Sequence, residues 1–139
     1  MTTEPTFIAL DRTYDAMLGL EFDPTADGDL TATLPVRDSL CQPMGLVHGG
    51  VYASIAESLT TVATICRVAP DGMYGVGLSN QTNLVRPILE GSIHATARVR
   101  HSGRTTWLWD VEFHDDQERL CAVCRMTIAI RPQPRAWAG

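Results

Sequence analysis

The stretch from Val51 to Ala69 constrains this chain more than any other. Val51, Ile55, Leu59, Val62 and Cys66 recur at three- and four-residue spacing, and Ala53, Ala56 and Ala63 fill the gaps between them. A helix that is apolar around most of its circumference has to be buried, so the rest of the chain must wrap it. Gly49-Gly50 opens this helix and Pro70-Asp71-Gly72 ends it. With Glu57, Arg67 and several hydroxyls inside it, the stretch falls short of the roughly 20 apolar residues a membrane span requires.

The wrapping material follows a period of two. Ile93, Ala95, Ala97 and Val99 alternate with His94, Thr96, Arg98 and Arg100. After a Ser102-Gly103 turn, Trp107, Trp109, Val111 and Phe113 alternate with polar or smaller neighbours. Leu120 to Ile130 reads as a further strand with Leu120, Ala122, Cys124, Met126, Ile128 and Ile130 on one face, and Met73 to Leu84 as another, ended by Arg86-Pro87. Near the start, a strand over Leu18 to Phe22, a turn at Asp27-Gly28 and a strand over Leu30 to Leu34 form a hairpin or meander. One long helix and about six mostly antiparallel strands make an α+β architecture. With 139 residues and 45% hydrophobic content, a single domain accommodates it. The tail from Pro132 to Gly139 is expected to be loosely held.

Charge narrows the function. Sixteen acidic against 11 basic residues give a net charge of −5, which argues against a sequence-independent grip on nucleic acid or an anionic membrane. Lysine is absent, so every basic side chain is arginine, a pattern open to codon bias or to phosphate recognition. Met1-Thr2-Thr3-Glu4-Pro5 has no basic or long apolar leader, and a cytoplasmic location with four free thiols is expected. Cys121 and Cys124 lie three apart on a strand and face opposite ways, which disfavours a shared metal; His94, His101 and His114 lack ligand spacing. A serine-hydrolase elbow is missing, and Gly75-Val76-Gly77 is an incomplete dinucleotide fingerprint.

Two features carry chemistry. Paired glycines at a helix start leave backbone N–H groups uncovered where the helix dipole favours negative charge, suited to a developing oxyanion; tight packing against the sheet is the structural alternative. Glu57 is the one charge between Val51 and Ile65, in a stretch expected to be buried, where a carboxylate needs a task or partners such as Ser54, Ser58 and Thr61. Gly49 and Glu57 are separated by about 12 Å along a helix rising 1.5 Å per residue. One helix cannot aim both at the same small group, whereas two helices running antiparallel across a two-fold axis can. If the two features act together, the active unit is at least a dimer.

The run Gly45-Leu46-Val47-His48-Gly49-Gly50-Val51-Tyr52-Ala53-Ser54-Ile55-Ala56-Glu57 resembles the signature of the hotdog-fold acyl-CoA thioesterases. The likeness continues through Gly77 to Asn83, Arg86-Pro87, Thr105 to Val111 and Leu120 to Val123, up to Arg131-Pro132, covering about residues 15 to 132. Within that superfamily the chain is most similar to the type that hydrolyses 4-hydroxybenzoyl-CoA and carries Glu on the helix, where phenylacetate-pathway relatives carry Asp. The resemblance implies a sheet wrapped around the helix, dimers with active sites at their interface, and tetramers made of two dimers.

It also implies roles. Glu57 becomes the catalytic carboxylate, as nucleophile or as base on a water; Gly49 polarises the thioester carbonyl through its N–H; Gln42 orients the reacting groups. Thr61 bonds the carboxylate or the water, and His48 fixes the loop or moves protons. Arg86, Arg104 and Thr105 match positions that hold coenzyme A phosphates, although relatives with Ser where Arg104 stands would bind by hydroxyl. No metal or redox cofactor is implied. The implied reaction is hydrolysis of an aromatic acyl-CoA to the acid and coenzyme A. Alternatives are 1,4-dihydroxy-2-naphthoyl-CoA, a broad range of acyl-CoAs, or a non-catalytic acyl-CoA-binding module.

Overall fold

The computed structural model describes residues 8–25 and 29–137. Helix α2, Gly49–Val68, lies against a six-stranded antiparallel sheet and buries Val51, Tyr52, Ile55, Ala56, Leu59, Thr60, Ala63, Thr64 and Val68. The strands are β1 (Glu21–Pro24), β2 (Leu30–Pro35), β3 (Met73–Leu84), β4 (Ser92–Ser102), β5 (Thr106–His114) and β6 (Leu120–Pro132), in the order β1-β2-β4-β5-β6-β3. The expected alternation holds: Ile93, Ala95 and Ala97 of β4 and Trp109, Val111 and Phe113 of β5 are buried, as are Ala122, Cys124, Met126, Ile128 and Ile130 of β6. Leu120, at the start of β6, stays exposed.

Trp109 ties helix to sheet. Fully buried, it donates from Nε1 to Thr64 Oγ1 at 3.0 Å, with the Arg67 guanidinium 5.1 Å above its ring. The buried threonines satisfy themselves along the helix: Thr60 donates to Ala56 C=O and Thr64 to Thr60 C=O, at 2.8 and 2.7 Å.

Two expectations at the ends need correcting. Leu18 does not open a strand; it closes a short helix, α1 (Tyr14–Leu18), and the strand begins only at Glu21. Thr13 caps α1 by accepting from the Ala16 N–H, and Gly19 ends it at φ +75°. Arg37 then donates to the Met17 and Leu18 carbonyls at 3.0 and 2.8 Å. Those capping groups lie outside an apolar period, which is why alternation misled there. The Asp27-Gly28 turn falls outside the described residues. As far as Trp137 the tail is held rather than loose: Gln133 Nε2 donates to Met73 C=O, and the Trp137 ring sits 5.1 Å from that of Tyr74, while Ala138 and Gly139 lie outside the described residues.

β3 sets the stage for the site. Among the described residues it pairs with β6 alone and forms one edge of the sheet, with a bulge between Gly77 and Ser79. Along it Val76, Leu78 and Leu84 are exposed, and Val85 follows. A long apolar edge strand is a template for pairing with another chain.

Candidate active site

The loop before α2 is fixed by its own backbone. Gln42 N–H donates to Leu46 C=O, Gly45 N–H to Gln42 C=O, His48 N–H to Leu40 C=O and Val47 N–H to Ile88 C=O, each at 2.9 Å. Gly45 turns the chain at φ +85°, a conformation that favours glycine. His48 is the N-cap of α2, its Nδ1 accepting the Gly50 N–H at 2.9 Å. That nitrogen carries no proton while it caps, so in this geometry the imidazole fixes the helix start. A Cβ on Gly50 would stand 3.0 Å from Nδ1 and crowd the cap.

With Gly50 capped, the Gly49 N–H meets no acceptor among the described residues. It points out of the first turn of a 20-residue helix, where dipole and orphan donor both favour negative charge. Leu84 of β3 lies over Gly49, its Cδ1 2.9 Å from where a Cβ would be. Gln42 is half-buried in the loop just before the cap.

Glu57 was expected to be buried and is exposed in the single chain. The reason is its place on α2: the inward stripe passes through Ile55, Ala56, Leu59 and Thr60, and Glu57 lies on the flank towards β3. Its side chain runs beside Gly77, where a Cβ would stand 3.6 and 3.7 Å from Glu57 Cγ and Cδ. Ser54 and Ser58 do not serve it: Ser54 hydrogen-bonds Tyr14 and the Gly50 carbonyl, and Ser58 donates to Asp15. Thr61 lies one turn further on and is half-buried.

The three coenzyme candidates divide between two ends of the sheet. Arg86 N–H donates to Cys121 C=O at 3.0 Å, whereas Thr105 C=O accepts from Ile130 N–H at 2.9 Å. Nine residues of β6 separate these anchors, about 30 Å at ~3.4 Å per residue. All three side chains are exposed, Arg104 and Thr105 in the β4–β5 turn and Arg86 after β3. One chain therefore does not bring Arg86 and Arg104 to the same phosphate.

A groove of about 260 Å³ adjoins the helix start, lined by Leu46, Val47, Tyr52, Leu84, Val85, Arg86 and Pro87. Tyr52 is 2% exposed, and its hydroxyl has no hydrogen-bond partner among the described residues. Burial, reinforced by nearby Cys121, pushes the phenol up to about 12.

Sequence reasoning overlooked Gly77 and Asn80. Asn80 Nδ2 donates to Ala53 C=O at 2.9 Å, joining β3 to the helix turn that precedes Glu57. The signal that was available is glycine inside a strand, which marks close approach of another element; Gly75 and Gly77 both face α2.

Known proteins of the same architecture agree. Residues 44–122, more than half of the chain, match the thioesterase superfamily. The chain is 38% identical to PA1618 of Pseudomonas aeruginosa over 116 residues, 84% of this chain and 80% of that protein. The crystal structure of a mutant of that thioesterase superposes with a TM-score of 0.84 at 35% identity, covering 88% of each chain. Thioesterase HI1161 of Haemophilus influenzae superposes with a TM-score of 0.81 at 30% identity over 87% of this chain and 84% of its own. The helix wrapped in an antiparallel sheet is thus the hotdog fold, and the chain belongs to the thioesterase superfamily as a thioester hydrolase.

Proposed function

We propose that this protein hydrolyses an aromatic acyl-CoA, of the 4-hydroxybenzoyl-CoA kind, at sites shared between two copies of the chain. The observation that carries this reading is the placement of its two reactive groups along one free edge. Glu57 lies beside Gly77, and Gly49, whose N–H meets no acceptor among the described residues, lies beside Leu84, both neighbours being on β3.

Antiparallel pairing of β3 with the partner's β3 would join the two groups. Gly75, Gly77, Asn80 and Leu84 all face α2, the bulge at Leu78 shifting the alternation by one. Matching inward residues to inward residues around a dyad at Gln81 sets Gly77 opposite the partner's Leu84. Glu57 then comes level with the partner's Gly49. The same register sets Gly75 opposite the partner's Arg86. Since Gly75 pairs with Ile130, whose N–H binds Thr105, the Arg104-Thr105 turn gathers at that end with the partner's Arg86. A single register thereby supports both a catalytic pair and a phosphate-binding pair that one chain separates. Dimers could associate further into tetramers.

In that site the Gly49 N–H donates to the thioester carbonyl oxygen and stabilises the oxyanion as the carbonyl becomes tetrahedral. Glu57 either attacks the carbonyl carbon, releasing coenzyme A thiolate and leaving a mixed anhydride that water opens, or takes a proton from the attacking water. Gln42 orients the reacting groups, Thr61 hydrogen-bonds the carboxylate or the water, and His48 holds the helix start. The groove of about 260 Å³ exceeds the roughly 150 Å³ cavity that suffices for benzene, so its volume admits a single ring. Coenzyme A is a substrate portion, and the chemistry assigned to these residues needs no metal. A cytoplasmic location fits such a substrate.

The test is Glu57→Ala assayed by thiol release over benzoyl-, hydroxybenzoyl-, phenylacetyl-, naphthoyl- and aliphatic-CoA thioesters. Turnover should be lost with acyl-CoA binding retained. Unchanged turnover refutes the role of Glu57, and a flat wild-type profile refutes the aromatic preference.

A further inference from the structure

A site divided between chains is only as accurate as the link from each catalytic helix to the strand at the interface. α2 meets β3 closely at two glycines, but a van der Waals contact lets a helix slide. A hydrogen bond does not. Asn80 supplies one: its Nδ2 donates to Ala53 C=O at 2.9 Å. That carbonyl belongs to the residue four before Glu57, so it is the acceptor that the α-helical pattern assigns to the Glu57 N–H. The bond from the sheet therefore lands on the turn that presents Glu57.

The amide cannot turn over. Asn80 Oδ1 accepts from Thr82 Oγ1 at 2.8 Å and from Cys124 Sγ at 3.3 Å, so its oxygen is occupied by two donors and its NH₂ is left facing the helix. Cys124 is buried, which shields the cluster from competing water. Asn80 also lies next to Gln81, where the proposed dyad falls. The clip thus joins Glu57 to the part of β3 that fixes where the partner sits.

We infer that Asn80, oriented by Thr82 and Cys124, is a positioning residue that sets the reach of Glu57 across the interface; the inference rests on the catalytic role proposed for Glu57. Its amide is taken up by Ala53, Thr82 and Cys124, so its loss should appear in the chemical step rather than in substrate binding. A misplacement of about 1 Å costs on the order of 100-fold in rate.

The experiment compares Asn80→Ala with Thr64→Val in the full-length protein, measuring kcat, KM and melting temperature. Thr64→Val removes the acceptor of Trp109 Nε1, another tie between α2 and the sheet but two turns beyond Glu57. Asn80→Ala should lower kcat by about 10- to 100-fold with KM within about threefold, while Thr64→Val lowers the melting temperature and leaves kcat within about threefold. If Asn80→Ala does not fold, Asn80→Asp, which turns an oxygen towards Ala53 C=O, should show the same split. A kcat unchanged in the Asn80 variant, or lost equally in both variants for equal melting shifts, overturns the inference. If Glu57→Ala itself retains turnover, the catalytic reading has failed; if Glu57→Ala is inactive and Asn80→Ala is fully active, only the positioning role has.

Discussion

Replacing Tyr52 with phenylalanine removes a single oxygen from the interior, and its effect can be worked out in advance. The side chain is 2% exposed, its ring stands edge-on to Phe113 at 5.3 Å and 88°, and its hydroxyl lacks a hydrogen-bond partner among the described residues. The Ile88 N–H faces it short of hydrogen-bond geometry. At neutral pH nothing is lost by removing an unpaired hydroxyl, and stability should hold or rise by about 1 kcal/mol. Alkaline pH separates the two proteins. The phenol titrates near 10 when unfolded and near 12 when folded, so between those values the unfolded chain binds fewer protons and wild-type stability falls as pH rises. At pH 11 the loss is about 1.4 kcal/mol, approaching about 2.7 kcal/mol above pH 12. Urea unfolding followed by tryptophan fluorescence at pH 7, 9 and 11 reads the difference between the two proteins, in which the other titrating groups cancel. Parallel pH dependence, or a phenylalanine variant more than 1 kcal/mol less stable at pH 7, would show that the hydroxyl is bonded and the reasoning wrong.

Other consequences follow from packing and burial. At Gly75 a Cβ would stand 2.9 Å from Ile128 Cγ2 and 3.0 Å from Thr64 Cγ2, both on stiff β-branched side chains, so Gly75→Ala should destabilise by about 1–3 kcal/mol in urea unfolding. The same change at Gly77, where the nearest atoms are 3.5 Å away or more, should cost less than half as much. Thiol labelling of the native protein should modify Cys66, which is exposed, and spare Cys121 and Cys124, whose pKa values burial raises; fast labelling of either would contradict their placement.

How much of this was legible beforehand depends on the kind of signal. The span of α2 and the strands β3 to β6 could be read because burial on one face imposes a period of 3.6 or 2 directly on residue types. α1 was misread because its ends are fixed by Thr13, Gly19 and Arg37, the last of them a contact from 19 residues away. Glu57 stands out in the sequence as the odd charge of an apolar helix, but its exposure does not: nothing in the spacing says that the flank beside Gly77 is left uncovered by the chain's own sheet. The separation of Arg86 from Arg104 likewise depends on strand register, which a list of matching positions does not contain. Helix rise alone sets Gly49 and Glu57 about 12 Å apart and so calls for a second copy if they act together, and the free β3 edge gives that copy a place to pair.

The shared site is the central claim, and mixed dimers test it most directly. Gly49→Pro deletes the N–H at the first position of the helix, where backbone geometry accepts proline: His48 at φ −63° and ψ 134° already has the extended backbone a following proline requires, and the new Cβ need displace only the tip of the exposed Leu84 side chain. Dimers of Gly49→Pro alone and of Glu57→Ala alone should be inactive. A purified heterodimer carrying one chain of each retains one site in which an intact Gly49 faces the partner's intact Glu57, and it should recover about half the wild-type activity. A heterodimer as inactive as its parents would place both groups within one chain and contradict the account.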